Sequence, residues 1–105
     1  MNMPNAKYNR GAYYERKTML TLEEMGMDAY RAAGSHGVFD VIAYDENICR
    51  LVQVKSTQKS VRHSLYRQDL LKMFLSKTPA NFTRELWIYG LVDGKKKGVV
   101  KVCVL

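Results

Sequence analysis

Two β segments on either side of a polar turn restrict the possible folds of this chain most. Residues 38–44 and 48–56 are rich in Val, Ile and Leu, and Asp45-Glu46-Asn47 separates them. This pattern is typical of a β-hairpin. A turn on Glu46-Asn47 predicts that Tyr44 pairs with Cys49, Ile42 with Leu51, and Asp40 with Gln53. The register matters because a slip of one residue would move every side chain of one strand to the other face.

The rest of the chain predicts two helices and three further strands. A period of 3.6 residues predicts the first helix over 9–25, with Gly26 as its C-cap and Ala12, Met19 and Leu22 on its apolar face. The second helix is expected from 61 or 62 to 76, because Pro79 prevents its continuation, and its apolar stripe comprises Tyr66, Leu70, Met73, Phe74 and Lys77. Strands are predicted over 29–33, 85–92 and 99–105, with turns or loops at 34–37 and 57–61. The order α-β-β-β-α-β-β predicts an α/β protein with a mixed sheet flanked by helices.

The length and composition fit a single globular domain. The chain has 105 residues, of which 47% are hydrophobic and 26% charged, so a disordered or fibrous protein is excluded. We predict a flexible basic arm over residues 1–8 and one domain over 9–105. No apolar run approaches the roughly 18 residues of a membrane helix, and the N-terminus lacks the apolar core of a secretory signal.

The charge points to an anionic partner. Seventeen Lys and Arg residues against ten Asp and Glu residues give a net charge of +7. On a small domain this favours nucleic acid, although solubility alone is the alternative. Cys49 and Cys103 lie among apolar residues and lack metal-site spacing, which predicts buried free thiols in a reducing, cytoplasmic compartment.

Three features carry candidate chemistry. Glu15 falls on the apolar stripe of the first helix, where a carboxylate is costly unless it is paired or binds a metal; the alternatives are a favourable contact with the helix dipole or an ion pair with Arg31. Asp40 interrupts an apolar strand, although it would face water if that strand were at the sheet edge. Gln53 and Lys55 share one strand face, which alone is also typical of a half-exposed strand.

The predicted register brings these groups together as a site for phosphodiester hydrolysis. Carboxylate and amide oxygens bind a hard cation such as Mg²⁺, which polarises a phosphate and activates water. Lys55 would orient that water or stabilise the charge that develops on the phosphate.

The sequence resembles the PD-(D/E)xK nuclease superfamily, and within it the archaeal-type Holliday junction resolvases and their phage relatives. The resemblance covers residues 9 to about 56 and rests on four stretches in the family's order: residues 9–16, Tyr30 to Ser35, Asp40 to Ala43, and Val52 to Lys55. Two positions depart from the motif: Phe39 replaces its proline, and Gln53 replaces its Glu or Asp. A neutral amide still offers an oxygen ligand but no charge, so we expect weaker metal binding.

This resemblance implies a restriction-endonuclease-like fold and a homodimer that cuts four-way DNA junctions symmetrically. It implies metal binding by Asp40, Gln53, Glu15 and the Val54 carbonyl, with Mg²⁺ as the ion or Mn²⁺ in its place. It also implies that Lys55 assists the attack and that Ser35 lies beside the active site. Such a protein would act on DNA in an archaeal cell, a cell carrying a prophage or a phage-infected cell.

Polar and basic residues on both sides of the candidate site are predicted to contact DNA phosphates. They are Lys7, Arg10, Arg16, Arg31, Ser35, His36, Lys59 and Arg62. For each one the alternative is an ordinary surface residue, and His36 also fits a simple turn position. Residues 95–97, three consecutive lysines, are either a solubilising hairpin tip or a distal DNA contact.

Three other functions remain open from the sequence. The first is another nuclease of the same superfamily, acting on flaps, mismatches or duplex sites, because fold alone does not choose the substrate. The second is a catalytically weakened module that binds nucleic acid. The third is an interaction protein whose positive charge is incidental.

Overall fold

The computed structural model describes residues 6–32 and 37–104, with side chains from residue 10 onward. Its elements are α1 (Ala6–Glu24), β1 (Asp28–Arg31), β2 (Val41–Tyr44), β3 (Cys49–Ser60), a 3-10 helix (His63–Tyr66), α2 (Arg67–Leu75), β4 (Phe82–Val92) and β5 (Lys96–Val104). The predicted order is therefore confirmed, with the short 3-10 helix added before α2. Ser35, His36 and residues 1–5 of the predicted arm lie outside the described residues, and residues 6–8 of that arm belong to α1.

The five strands form one mixed sheet in the order β1-β2-β3-β4-β5. Only the central pair β3–β4 is parallel among these strands, and α2 makes the crossover that a parallel connection requires. The hairpin register is confirmed, because Tyr44 pairs with Cys49 and Ile42 with Leu51. Asp45 stabilises the turn, since its carboxylate accepts hydrogen bonds from the backbone N–H groups of Asn47 and Ile48.

The two helices cover opposite faces of the sheet. Alternate residues of β4 pack to opposite sides: Trp87 and Tyr89 join the core beneath α1, whereas Leu86 and Ile88 pack beneath α2 with Met73. Residues 85–90 are all buried, as expected for a central strand that is covered on both faces.

α1 begins three residues before the predicted start and ends as predicted. Gly26 adopts a positive φ of 88°, and the Met27 N–H donates to the Leu22 carbonyl, which is the expected glycine C-cap. The buried stripe differs from the prediction, because Thr18 is fully buried whereas Met19 lies at its border. Thr18 tolerates burial because its hydroxyl bonds both the Tyr14 carbonyl and the Tyr89 hydroxyl, each at 2.7 Å.

Several predicted boundaries are wrong for reasons of tertiary pairing. β3 continues through the predicted loop to Ser60, since β4 runs beside it and Ser60 pairs with Leu91 after a register shift. β4 begins three residues early because Phe82 pairs with Cys49 of β3, and β5 begins three residues early because Lys96 pairs with Val92 of β4. β1 covers 28–31 instead of 29–33. α2 starts only at Arg67, and its sheet-facing stripe excludes Phe74, which is 57% exposed.

Two further predictions concern the burial of the cysteines and the presence of membrane helices. Cys49 is half-buried and Cys103 is exposed, so the prediction of two buried thiols is wrong for Cys103, which lies on the edge strand β5. Within the described ranges, no helix combines the length and the apolar character needed to cross a membrane.

Candidate active site

Asp40 is held by three hydrogen bonds, two to the middle of β3 and one to Ala32, just after β1. Its backbone N–H donates to the Val52 carbonyl at 2.9 Å, and its carbonyl accepts from the Ala32 N–H at 2.8 Å. Its carboxylate Oδ2 accepts from the Val54 N–H at 2.8 Å. The pairing of β2 with β3 ends at Val41 and Val52, so the predicted pair of Asp40 with Gln53 is not part of it. Asp40 instead bonds to Val52 and Val54, the two residues on either side of Gln53. The side-chain bond to Val54 also explains why β2 begins only at Val41: the carboxylate takes a donor that would otherwise continue the ladder.

The Asp40 carboxylate lies in a partly desolvated, highly charged environment. Burial raises its pKa above the ordinary value, and the hydrogen bond from Val54 opposes this rise. The negative charge of Glu15 raises the pKa further, whereas Lys55 and Arg31 lower it. Glu15, Arg31 and Lys55 are thus all close enough to act on Asp40, and a bound cation would favour its ionised form.

Gln53 and Lys55 share a face of β3, as predicted, and both reach the same carboxylate oxygen. The Gln53 Nε2 donates to Asp69 Oδ1 at 3.4 Å, and the Lys55 Nζ lies 3.5 Å from the same atom. Both distances exceed the roughly 2.7–2.9 Å of a strong charge-assisted bond. The Lys55 side chain is also 39% exposed. Lys55 is therefore held loosely and is accessible to a substrate.

Asp69 is a candidate site residue that the sequence analysis missed. It lies on α2, three residues after Tyr66 and four before the fully buried Met73, so it belongs to the side of the helix that faces the sheet. The signal that selected Glu15, a carboxylate at the apolar spacing of a helix, applied equally to Asp69.

Glu15 is close to Asp40 but is engaged by Arg31. The Nε and Nη2 atoms of Arg31 both donate to Glu15 Oε1, at 3.2 and 3.0 Å. The ion pair that the sequence left as an alternative is therefore present. Arg31 thus neutralises an acid beside the site, and its predicted DNA contact stays a prediction.

One buried oxygen atom could act as a metal ligand. The Gln53 Oε1 is inaccessible to solvent and has no hydrogen-bond partner within the described part of the chain. A buried acceptor left unpaired costs about 1–3 kcal/mol, which a divalent cation would relieve. No group of three or more His, Cys, Asp or Glu residues is arranged for metal binding in residues 6–32 and 37–104. The fit therefore rests on Asp40 and Gln53, and Mg²⁺ suits it because this ion usually keeps several waters.

The predicted DNA-contact residues fall into separate groups. Arg16 is exposed on α1, whereas Arg10 is half-buried. Lys59 and Arg62 line a cavity of about 410 Å³ beside the 3-10 helix. The side chain of Lys7 and the residues Ser35 and His36 lie outside what the structure describes, so their predicted contacts stay predictions.

The comparisons with known proteins agree with this geometry. The sequence model of the archaeal Holliday junction resolvases (Hjc) matches residues 6–98. Among solved structures, that of Hjc, a Holliday junction resolvase from Archaeoglobus fulgidus, matches with a TM-score of 0.56 and 16% identity, over 90% of this chain and 73% of that chain. No curated protein matches the sequence. The mixed sheet, the matching solved structure and a family match over nearly the whole chain lead to one conclusion: the chain belongs to the archaeal Holliday junction resolvase family, a family of DNA endonucleases.

Proposed function

We propose that this chain resolves four-way DNA junctions by hydrolysing one phosphodiester bond on each of two opposed strands, with Mg²⁺ held by Asp40 and Gln53. The same two residues would also bind Mn²⁺ in place of Mg²⁺. The Val54 carbonyl and Glu15 complete the proposed ligand set, Glu15 only when Arg31 releases it.

The observation that supports this proposal is the Gln53 Oε1, which is buried without a partner in the described part of the chain and belongs to the residue between the two β3 residues that Asp40 contacts. The contacts of Asp40 to Val52 and Val54 lie on either side of Gln53, whose Oε1 has no described partner. Two oxygen ligands from adjacent strands, one of them charged, suit a hard cation that also binds a substrate phosphate.

The side chains around the site have separate roles. When bound, Mg²⁺ would polarise the scissile phosphate and lower the pKa of the attacking water. Lys55, 3.5 Å from Asp69, exchanges that loose contact for the phosphate and stabilises the charge that develops there. Arg31 moderates the repulsion between Glu15 and Asp40, and becomes available to DNA if the metal draws Glu15 away.

A homodimer is part of this proposal, because symmetric cutting requires two active sites. α2 carries a second apolar stripe in Leu71, Phe74 and Leu75, at spacings of three and four residues and 51%, 57% and 68% exposed. The first stripe of α2 already packs on the sheet. An exposed apolar stripe that repeats in a second copy suits a two-fold interface.

The test is cleavage of end-labelled four-way junctions, with linear duplex and single strands of matched sequence, in Mg²⁺ and in Mn²⁺. We expect paired symmetric nicks on the junction alone, and Asp40→Asn should lower the rate by about a hundredfold or more. Asp40→Asn is a conservative control because the amide oxygen can still accept the Val54 N–H.

Two results would contradict the proposal in different ways. Equal cutting of all substrates would leave a nuclease without junction selectivity. Tight junction binding without cutting in either metal would favour the second candidate, a catalytically weakened binding module. The observation that favours this candidate is the neutral Gln53, which stands where the family motif has Glu or Asp.

A further inference from the structure

A small cavity lies on the α1 side of the sheet, outside the candidate active site. Its volume is about 170 Å³, and its polar lining residues are Arg10, Tyr14, Thr57, Gln58 and Lys97. It is smaller than the roughly 300 Å³ at which small-molecule pockets begin, yet it exceeds the roughly 30 Å³ of one water several times. The space therefore suits a group of the size of a phosphate better than a whole nucleotide.

Arg10 presents an unused donor to this region. Its Nε is buried and has no hydrogen-bond partner among the residues that the structure describes. The guanidinium is always charged, and a buried N–H without an acceptor costs about 1–3 kcal/mol. An anion in the cavity would remove this cost.

Lys97 adds a second positive charge from the opposite wall. On β5, Val99 pairs with Tyr89 and packs against the core beneath α1. Lys97 lies two residues earlier and pairs with Leu91, so it faces the same side. Lys96 faces the other side of the sheet. Among the described residues that line the cavity there is no carboxylate to neutralise the two cations.

The floor of the cavity is backbone at Gly90. A Cβ there would lie 2.7 Å from the Thr57 Cγ2 and 2.9 Å from the Lys59 carbonyl oxygen, so no side chain fits without displacing β3. The same Cβ would lie 2.8 Å from the Val61 Cγ2, which belongs to the core beneath α2, so glycine keeps this end of the sheet closely packed.

We propose that this cavity binds a backbone phosphate of the DNA junction, distinct from the phosphate that is cut; this inference rests on the proposed function. Arg10 precedes Glu15 by five residues, about 7.5 Å along the helix, and Thr57 follows Lys55 by two residues, about 6.6 Å along the strand. The cavity therefore lies one short step from the active site, within reach of the same DNA arm. Of the lysines at 95–97, Lys97 is the one that binds this phosphate.

The test compares Lys97→Ala with Lys96→Ala, which removes the same charge from the neighbouring position on the opposite face. Junction affinity is measured by fluorescence anisotropy without divalent metal, across a salt series, so that cleavage plays no part. We expect Lys97→Ala to weaken binding about tenfold and to lower the salt slope by about one. Lys96→Ala should change the affinity less than twofold. Equal losses in both variants would overturn the proposal.

A second measurement identifies the ligand and its partners. Arg10→Gln and Lys97→Ala should be non-additive in a double-mutant cycle, because both would contact one phosphate. Ethylation interference on the junction should reveal one phosphate whose signal disappears in Lys97→Ala but not in Lys96→Ala. If inorganic phosphate stabilises the wild type through Lys97 while junction binding ignores this residue, the cavity is a free-phosphate site and the DNA proposal is wrong.

The two proposals fail separately. A wild-type protein that cuts junctions normally, with Lys97→Ala indistinguishable from Lys96→Ala, would contradict only the second phosphate site. A protein that never cuts, yet binds junctions through Lys97, would contradict only the proposed catalysis.

Discussion

Gln53 determines how much negative charge the candidate site offers to a cation. Its Oε1 is buried without a partner in the described part of the chain, and its Nε2 donates to Asp69 Oδ1 at 3.4 Å. The amide donates one hydrogen bond to Asp69 and keeps an oxygen available to a cation, whereas a carboxylate in its place would face Asp69 with like charge. If the proposed metal site is right, residue 53 sets both the metal affinity and the stability of the metal-free protein.

Gln53→Glu should therefore have opposite effects with and without metal. Without divalent ions, we expect the melting temperature to fall by a few degrees, since the new carboxylate repels Asp69. With Mg²⁺, ligand binding should raise the melting temperature more than in the wild type, and cleavage at limiting Mg²⁺ should rise about tenfold. Thermal melting and single-turnover cleavage over a Mg²⁺ series measure both.

Asp69→Asn with Gln53→Glu is the matched control for that prediction. Removing the second carboxylate should restore the metal-free melting temperature. An unchanged Mg²⁺ response in Gln53→Glu would show that residue 53 is not a metal ligand.

At the scale of elements, an ion pair between β3 and β4 supports the central parallel strands. Arg50 donates to both carboxylate oxygens of Glu85, at 2.8 and 2.7 Å. Thr83 and Trp87 donate to the same carboxylate, and Glu85 is 5% exposed. Burial works to raise the pKa of Glu85, but these hydrogen bonds and the charge of Arg50 outweigh it and hold the pKa below its ordinary value.

Glu85→Gln should lower the free energy of unfolding by about 3 kcal/mol, because it leaves the half-buried Arg50 without a counter-charge. The depressed pKa fixes the pH dependence of this effect. The stabilisation is fully present above the unfolded pKa of about 4.3 and is lost as pH falls through the lower folded value. Urea unfolding at pH 7 and at several acid pH values should therefore show a difference that shrinks only in acid.

An apolar replacement of the whole pair provides the control. Arg50→Met combined with Glu85→Leu should recover part of the loss, since neither charge is then left unpaired. If Glu85→Gln lowers the free energy of unfolding by less than about 1 kcal/mol, the pair stabilises the fold no more than an ordinary surface ion pair does. That result would contradict the prediction.

At the scale of the whole molecule, two sites are needed for one junction. The exposed stripe of α2 is the proposed surface for the second copy, and Phe74 is at its centre. Arg84 lies over the Phe74 ring, 5.9 Å from its centroid, and donates to the Phe74 carbonyl, so the chain already orients this ring.

Phe74→Glu should convert the proposed dimer to a monomer, because two like charges would then meet in an apolar interface. Sedimentation equilibrium should give the mass of one chain, and junction cleavage should yield single nicks instead of paired ones. Leu20→Glu, at a residue of α1 that is 55% exposed, places the same charge away from the stripe and should remain dimeric. A dimeric Phe74→Glu variant would place the interface elsewhere.

The sequence by itself determined the element order, the hairpin register and the candidate residues Glu15, Asp40, Gln53 and Lys55. These depend on local rules: a strand alternates its side chains, a helix repeats every 3.6 residues, and a polar turn sets the pairing. The register confirmed by Tyr44 and Cys49 follows from such a rule.

Only the tertiary structure decided which partner each site residue meets. Arg31 lies 16 positions from Glu15, so the sequence offered this ion pair only as one of several alternatives. Asp69 lies 16 positions from Gln53, and no local pattern indicated that contact. The length of β3 and the exposure of Phe74 likewise depend on which strand or helix face packs alongside. Such contacts form between distant segments, and their energies arise from burial and charge in three dimensions, which local periodicity does not encode.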